Sequence, residues 1–180
     1  NPGHAANLQL ALAYSCNSYF LQVFRMAIDD PKYHNAKKGY LKWKEYLNAF
    51  GLGRKLGVDL PSENRANIPD TAQYSRDFGG AKYWNSCYML TLGIGQDRMT
   101  DTPLQLANAM AYLANSGFYY TPHFVDSIEN EDEEDKVMLE KYRSKIEVTK
   151  ISKQYFDVIK EGMHDVTVIG TAAFIKVPGH

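Results

Sequence analysis

The sequence predicts an α+β domain that is mostly helical and carries one short antiparallel hairpin. Apolar residues recur at helical spacing in several stretches, most clearly over Ser18–Ile28. Two later stretches, 119–128 and 137–148, are predicted to be extended and to pair with each other. The chain has 180 residues, of which 44% are hydrophobic, so it is long enough to bury a core.

The first third of the chain predicts three helical stretches. A short apolar stretch follows Asn7, which suits an N-cap, and it stops at residues 15–17. The helix over Ser18–Ile28 is ended by the Asp-Asp-Pro that follows it. A further helix is predicted over Asn35–Phe50, with Gly51 as its stop. Its buried stripe is expected to comprise Tyr40, Trp43, Leu47 and Phe50.

The middle of the chain predicts a long irregular segment followed by two helices. Glycines and prolines interrupt residues 51–83, so this segment is expected to be mostly irregular. A short helix is predicted over Asn85–Leu92. Thr102-Pro103 is a strong helix start, with Thr as N-cap and Pro in the first turn. The stripe of this helix is expected to comprise Leu106, Ala109, Met110 and Leu113.

The C-terminal third predicts the hairpin and a last helix. The acidic run Glu129–Asp135 is expected to be an exposed loop that joins the two extended stretches. Ser152 is predicted to cap a helix that ends near Asp165, followed by one helical turn over Thr171–Lys176. The buried face of that helix is expected to comprise Phe156, Ile159 and Met163.

Ser15-Cys16-Asn17 lies between two apolar helical stretches and is the main candidate for chemistry. On a continuous helix, residues i and i+2 do not face each other, so a shared site for Ser15 and Asn17 requires a break in the helix. A hydroxyl beside a carboxamide suits an acyl-transfer site, where one passes a proton and the other holds an amide group. The competing interpretation is that both residues only cap the following helix.

An ordered series of short motifs connects this pair to a known family. The series is Phe50-Gly51-Leu52-Gly53, Gly57 to Glu63, Ile68-Pro69, Gly95-Gln96, Thr102 to Ala107, Leu113 to Gly117 and Gly170-Thr171-Ala172. It resembles the transpeptidase domain of class B penicillin-binding proteins over nearly the whole chain. Within that family it is most similar to penicillin-binding protein 2, the elongation-type enzyme, of a Bacteroidetes-like bacterium.

The family has three active-site motifs, and this sequence contains one of them. These are Ser-x-x-Lys, Ser-x-Asn and Lys-Thr-Gly, and only Ser15-Cys16-Asn17 is present. We therefore expect residues 1–180 to be an internal piece of a transpeptidase domain, truncated at both ends. The nucleophilic serine and its lysine would lie upstream, so the piece alone is expected to be inactive.

The resemblance implies the serine acyl-transferase fold shared with β-lactamases, most of this piece being its helical lobe. It implies D,D-transpeptidation, in which a serine attacks the D-Ala-D-Ala amide of a peptidoglycan stem peptide and D-Ala leaves. A neighbouring peptide's amine then takes the acyl group, and β-lactams acylate the same serine. Ser15 would relay a proton, and Asn17 would hydrogen-bond the substrate amide and position the absent lysine. Cys16 would point into the helical lobe.

Partners and location also follow from the resemblance. The expected partners are stem peptides, β-lactam antibiotics and membrane proteins of the elongation complex. The full-length protein would be anchored in the inner membrane with this part in the periplasm, and the piece itself would be soluble. The formal net charge of −1 gives no indication of nucleic-acid binding. No cofactor is implied, and the five histidines lack metal-binding spacing, so no metal site is expected.

Three alternatives remain open at this level. The division-type transpeptidase is the nearest within the family. A β-lactam sensor domain would use the same fold to bind without turnover, and a structural domain would use Ser15 and Asn17 as caps only. Two details are also open. Cys16 and Cys87 are expected to be free, buried thiols, and Asp97 stands where the family usually has the last glycine of Gly-Gln-Gly.

Overall fold

The structure is a computed structural model that describes residues 6–80, 82–147 and 151–175. Seven α-helices and one two-stranded sheet lie in these ranges. The helices are α1 (Leu8–Ala13), α2 (Asn17–Ile28), α3 (Ala36–Ala49), α4 (Thr71–Asp77), α5 (Pro103–Ala114), α6 (Glu133–Arg143) and α7 (Lys153–Val168). The strands are β1 (Phe118–Tyr120) and β2 (Lys145–Glu147), and 3₁₀ helices cover Pro31–Tyr33 and Ser86–Ile94. The predicted class, mostly helical with a short antiparallel hairpin, is confirmed.

The chain divides into two compact units, which are described separately. Unit 1 contains Asn1–Lys44, Pro69–Met99 and Ser152–His180, and unit 2 contains Glu45–Ile68 and Thr100–Ile151. Each unit is thus assembled from segments that are far apart in the sequence.

Unit 1 has an aromatic core in which helices approach closely. The core residues share near-complete burial and are Phe24, Ile28, Tyr40, Tyr74, Trp84, Met89 and Leu92. Helix α3 approaches the C-terminal end of α2 closely at Gly39, because Gly39 has no side chain there: a Cβ atom would collide with the carbonyl of Ile28. The Tyr40 hydroxyl donates to the Pro69 carbonyl at 2.6 Å, so the polar group of this buried ring is satisfied.

Unit 2 is organised by buried polar side chains that bind irregular backbone. Gln105 is 1% exposed and donates from Nε2 to the carbonyls of Arg54 and Arg65, at 2.7 and 3.0 Å. Glu63 accepts hydrogen bonds from three successive backbone N–H groups, those of residues 56–58. These hydrogen bonds fix the backbone conformation of segments that form no helix or strand.

A second carboxylate in unit 2 fixes the segment after the hairpin's first strand. Asp59 accepts hydrogen bonds from the backbone N–H groups of Phe124 and Val125. These bonds lower the pKa of the Asp59 carboxyl, because they favour its charged form. Strand β1 itself pairs with β2, with Tyr119 opposite Ile146.

Two helix boundaries, the start of α5 and the end of α3, lie close to the residues predicted from the sequence. Helix α5 begins after Thr102, whose side chain accepts from the Gln105 N–H while Gln105 reaches back to the Thr102 N–H. Helix α3 ends at Ala49, and Gly51 then adopts a φ of 94°. The predicted stripe of α3 is buried fully only at Tyr40, with the other three residues half-buried.

The prediction for residues 119–148 was partly wrong. The hairpin exists, but its strands are three residues each, and 137–143 is helical instead of extended. The acidic run is not only a loop, because Asp132 and Asp135 form a capping box at the start of α6. Acidic residues in the first turn and Lys141 and Arg143 in the last turn suit the helix dipole. Residue 148, the predicted end of the second extended stretch, lies outside the described residues.

Several further predictions differ from the structure in part. Segment 51–83 is mostly irregular, as predicted, although it contains helix α4, which begins after the N-cap Asp70. The helix near residue 90 is a 3₁₀ helix. On α5, Leu106 and Met110 are exposed, because the buried face belongs to Gln105, Asn108, Ala109 and Tyr112. On α7, Phe156 is buried but Met163 is exposed. Residues 171–174 form a hydrogen-bonded turn instead of a helix, and residue 176 lies outside the described residues.

Candidate active site

The helix breaks at Ser15, as the spacing of Ser15 and Asn17 predicted. Helix α1 ends at Ala13 and α2 begins at Asn17. The N–H of Cys16 donates to the Ala11 carbonyl at 2.8 Å, and the N–H of Ser15 donates to the Leu12 carbonyl at 3.0 Å. This pair of bonds is a Schellman motif, in which a left-handed residue closes the helix.

Ser15 is that left-handed residue, with a φ of 51°. Glycine is the usual residue at this position, because a Cβ atom is strained in the left-handed region. Sequence reasoning found the break but not this backbone conformation, since serine gives no local signal for it. A strained backbone at a candidate site residue is typical of functional positions.

Ser15 and Asn17 are both exposed, and Cys16 between them is half-buried. The N-cap of α2 is Cys16, and it makes no side-chain cap hydrogen bond. The interpretation of Ser15 and Asn17 as caps of α2 is therefore wrong. Both cysteines are free, but Cys87 is exposed, so the prediction that it is a buried thiol is also wrong.

The turn after α7 brings a second hydroxyl to Ser15. The Ser15 Oγ and Thr171 Oγ1 atoms are 3.1 Å apart, within hydrogen-bond distance. The Thr171 N–H donates to the Ala13 carbonyl at 3.0 Å. Gly170 makes this approach feasible, because a Cβ atom there would collide with the same carbonyl.

Helix α7 packs along α1 and supports this arrangement. Gly162 is buried against Leu12, where an added Cβ would lie 2.8 Å from Leu12 Cδ1. Gln9 Nε2 donates to Asp165 Oδ2 at 2.7 Å, although the two residues are 156 positions apart. Helix α7 therefore contacts α1 near both of its ends, through Gln9 and through Leu12.

Comparison with known proteins identifies the family. A family model described as the penicillin-binding protein transpeptidase domain matches residues 1–180. The chain belongs to the penicillin-binding protein transpeptidase family.

Individual relatives agree with this assignment. The chain is similar to the peptidoglycan D,D-transpeptidase MrdA of Escherichia coli K12, with 29% identity over 91% of this chain and 24% of that protein. It is also similar to penicillin-binding protein H of Bacillus subtilis, with 35% identity over 73% of this chain and 18% of that protein. The chain thus spans about a quarter or less of the length of the curated relatives it matches.

Solved structures support the fold. Penicillin-binding protein 2 from Helicobacter pylori matches with a TM-score of 0.61 and 26% identity, over 90% of this chain and 26% of that chain. The complex of the same protein with MreC matches with a TM-score of 0.59 and 25% identity, over 89% of this chain and 25% of that chain. The serine acyl-transferase fold expected from the family resemblance is confirmed.

In this transpeptidase-family chain, Asp97, where the family resemblance led us to expect a glycine, adopts a backbone conformation that favours glycine. Asp97 has a φ of 72°, in the left-handed region that favours glycine. Its Oδ2 atom accepts a hydrogen bond from the Tyr74 hydroxyl at 2.8 Å. Burial and this hydrogen bond raise the pKa of Tyr74, so its hydroxyl stays protonated as the donor.

The described part of this transpeptidase-family chain has neither a candidate metal site nor a helix suited to cross a membrane. Residues 6–80, 82–147 and 151–175 contain no cluster of His, Cys, Asp and Glu that could hold a metal ion. No helix in these ranges combines the length and the hydrophobicity that a membrane crossing requires.

Proposed function

We propose that this chain is part of the transpeptidase domain of a peptidoglycan D,D-transpeptidase and carries one wall of its active site. The observation that carries the proposal is the helix break that leaves Ser15 and Asn17 exposed one residue apart in a member of this family. The sequence contains neither Ser-x-x-Lys nor Lys-Thr-Gly, so the nucleophile and the substrate strand come from elsewhere in the full-length protein.

In this proposal Ser15 is a proton relay. The nucleophilic serine attacks the D-Ala-D-Ala amide carbonyl, an acyl-enzyme ester forms, and the carbon–nitrogen bond breaks. The lysine takes the proton from the nucleophilic serine's hydroxyl. Ser15 gives its own hydroxyl proton to the nitrogen of the leaving D-Ala and receives the lysine's proton in its place, so that the Ser15 hydroxyl is restored. The exposed Ser15 hydroxyl supports this role, since a relay must be open to the substrate.

Asn17 is proposed to bind the substrate amide. Among the residues that the structure describes, none is a hydrogen-bond partner of its exposed side chain, so its donor and acceptor groups are both open to a ligand. A carboxamide has the donor and acceptor needed to hold a peptide group or the matching amide of a β-lactam. It would also position the lysine of the Ser-x-x-Lys motif.

The biological setting is proposed from the relatives. Several are named peptidoglycan D,D-transpeptidase MrdA, and a penicillin-binding protein 2 has been solved in complex with MreC. We infer an elongation-type enzyme, anchored in the inner membrane and acting in the periplasm on stem peptides. Its partners would include β-lactams and membrane proteins of the elongation complex.

The test uses the full-length protein. Labelling with a fluorescent penicillin followed by turnover of a stem peptide separates the candidates: a transpeptidase gives both, and a sensor gives only the label. Ser15→Ala should slow acylation by roughly 10²–10⁴-fold, the range for a positioned proton-transfer group. Asn17→Ala should weaken substrate binding.

Ser18→Ala is the matched control, because Ser18 is also exposed and lies next to the site on α2. It should acylate at the wild-type rate. If Ser15→Ala and Asn17→Ala do so as well, the proposed roles are wrong. Incubating residues 1–180 alone with penicillin should give no covalent adduct by mass spectrometry, and an adduct on Ser15 would mean that the motifs are misassigned.

A further inference from the structure

The Gly170-Thr171 turn is the feature that the family motifs leave without a role. It lies against the end of α1, and its threonine hydroxyl is 3.1 Å from the Ser15 hydroxyl. We propose that Thr171 is a positioning residue for Ser15, which orients the Ser15 hydroxyl for proton transfer. This inference rests on the proposed function of Ser15.

The backbone at Thr171 is held in place by hydrogen bonds that do not involve Ser15. Its N–H donates to the Ala13 carbonyl at 3.0 Å, while the Gly170 N–H donates to the Asp165 carbonyl at 2.9 Å. The turn is therefore hydrogen-bonded on one side to α1 and on the other to α7. A branched Thr side chain has few favourable χ1 angles, so a fixed backbone also restricts where its hydroxyl points.

Ser15 needs such a partner because it is exposed and its hydroxyl rotates. A hydroxyl has one proton to donate and two lone pairs to accept with. When Thr171 donates to one lone pair of Ser15, the other lone pair and the Ser15 proton remain for the relay. The left-handed backbone fixes the Cα–Cβ direction of Ser15, and the hydrogen bond then fixes its Oγ.

The experiment measures penicillin acylation of the full-length protein by stopped flow, as a rate constant and a half-saturating concentration. Thr171→Val removes the hydroxyl and keeps the shape. It should lower the rate constant about three- to tenfold, the effect of one hydrogen bond. The half-saturating concentration should not change, because Asn17 holds the substrate. Thr171→Ser restores the hydroxyl and should recover the rate.

Thr167→Val is the matched control. Thr167 is also exposed, and its hydroxyl donates to the His164 carbonyl within α7, away from Ser15. It should leave both constants unchanged. In a Ser15→Ala background, Thr171→Val should have no further effect, because Thr171 acts through Ser15.

Each outcome decides between the two proposals. A wild-type protein that penicillin does not label contradicts the proposed function, and this inference with it. If the wild type is labelled and Ser15→Ala is slow but Thr171→Val is not, only this inference is wrong. A purely structural role for Thr171 would lower the thermal unfolding midpoint, change both constants and persist in the Ser15→Ala background, and that result would also overturn it.

Discussion

Each of the two units of this chain is stabilised internally by a different kind of contact. Unit 1 relies on shape: helices approach until glycines meet backbone carbonyls, as Gly39 does with Ile28. Unit 2 relies on polar side chains that hold loops: Gln105 binds two carbonyls and Glu63 binds three N–H groups. The candidate site lies in unit 1, where the same close approach brings Thr171 to Ser15.

The difference lies in the kind of residue that makes the close contacts. In unit 1, Gly39 and Gly170 each lie where an added Cβ would collide with a backbone carbonyl. In unit 2, Gln105 and Glu63 make hydrogen bonds that no apolar residue can replace. Substitutions that add volume should therefore harm unit 1 most, and substitutions that remove a polar atom should harm unit 2 most.

Gly39→Ala should have the largest effect on stability. In an exposed helix this change would stabilise by up to about 1 kcal/mol, because alanine is the better helix former. Here the added Cβ would collide with the Ile28 carbonyl, so we expect a net loss of about 2–3 kcal/mol from forced backbone shifts. Thermal unfolding measures it. Gly95→Ala is the control: nothing lies within 4 Å of that Cβ, and only its left-handed φ of 70° adds strain. A Gly39→Ala protein as stable as the wild type would contradict the close approach of Gly39 to the end of α2.

Gln105→Leu should cost about 2 kcal/mol, because it removes the buried amide that donates to the carbonyls of Arg54 and Arg65. The side chain keeps a similar volume, so the loss would come from hydrogen bonds and from the α5 capping box. Chemical denaturation provides the measurement. Leu106→Ala, on the exposed side of the same helix, should change stability by less than about 0.5 kcal/mol. If the apolar Leu106 matters more than Gln105, the polar account of unit 2 is wrong.

Glu63→Gln should cost about 1–2 kcal/mol, since it removes a charge that accepts from three backbone N–H groups but keeps one acceptor oxygen. Hydrogen exchange at residues 56–58 should become faster. Glu129→Gln is the control, as Glu129 is exposed in the same unit. Equal exchange in both variants would mean that Glu63 does not hold this loop.

Asp97→Gly should have the smallest effect. It relieves a left-handed aspartate, worth about 1 kcal/mol, and loses the Tyr74 hydrogen bond, which is worth a similar amount. The two terms should nearly cancel in a thermal melt. Tyr74→Phe should then destabilise the wild type more than the Asp97→Gly protein. An equal effect in both would show that this hydrogen bond contributes nothing.

Sequence reasoning succeeded where the determining signal was local. Thr102-Pro103 and Gly51 fixed helix ends because caps and left-handed glycines act within a few residues. The helix break at Ser15 followed from the spacing of Ser15 and Asn17 alone. The sequence does not predict α6, because an acidic run is typical of a solvated loop, whereas here Asp132 and Asp135 form a capping box.

Sequence reasoning failed where tertiary contacts determine which side chains are buried and which residues touch. The buried face of α5 is partly polar, so the apolar stripe predicted a buried Leu106 and Met110, whereas both are exposed. The contact between Ser15 and Thr171 joins residues 156 positions apart, and no local sequence pattern at either residue predicts it. Thr171 lies in the Gly170-Thr171-Ala172 motif, but only the structure shows that its hydroxyl is within hydrogen-bond distance of Ser15.

That separation has a consequence for synthesis of the protein. Ser15 leaves the ribosome long before Thr171, with 156 positions between them. At about 5–20 residues per second the second hydroxyl follows the first by about 8–30 s. During this interval the end of α1 lacks the turn that covers its Ala13 carbonyl, and the serine has no partner. A nascent chain stalled before Thr171 emerges would therefore lack the contacts of Thr171 with Ser15 and Ala13. This part of the site can form only after α7 has been synthesised.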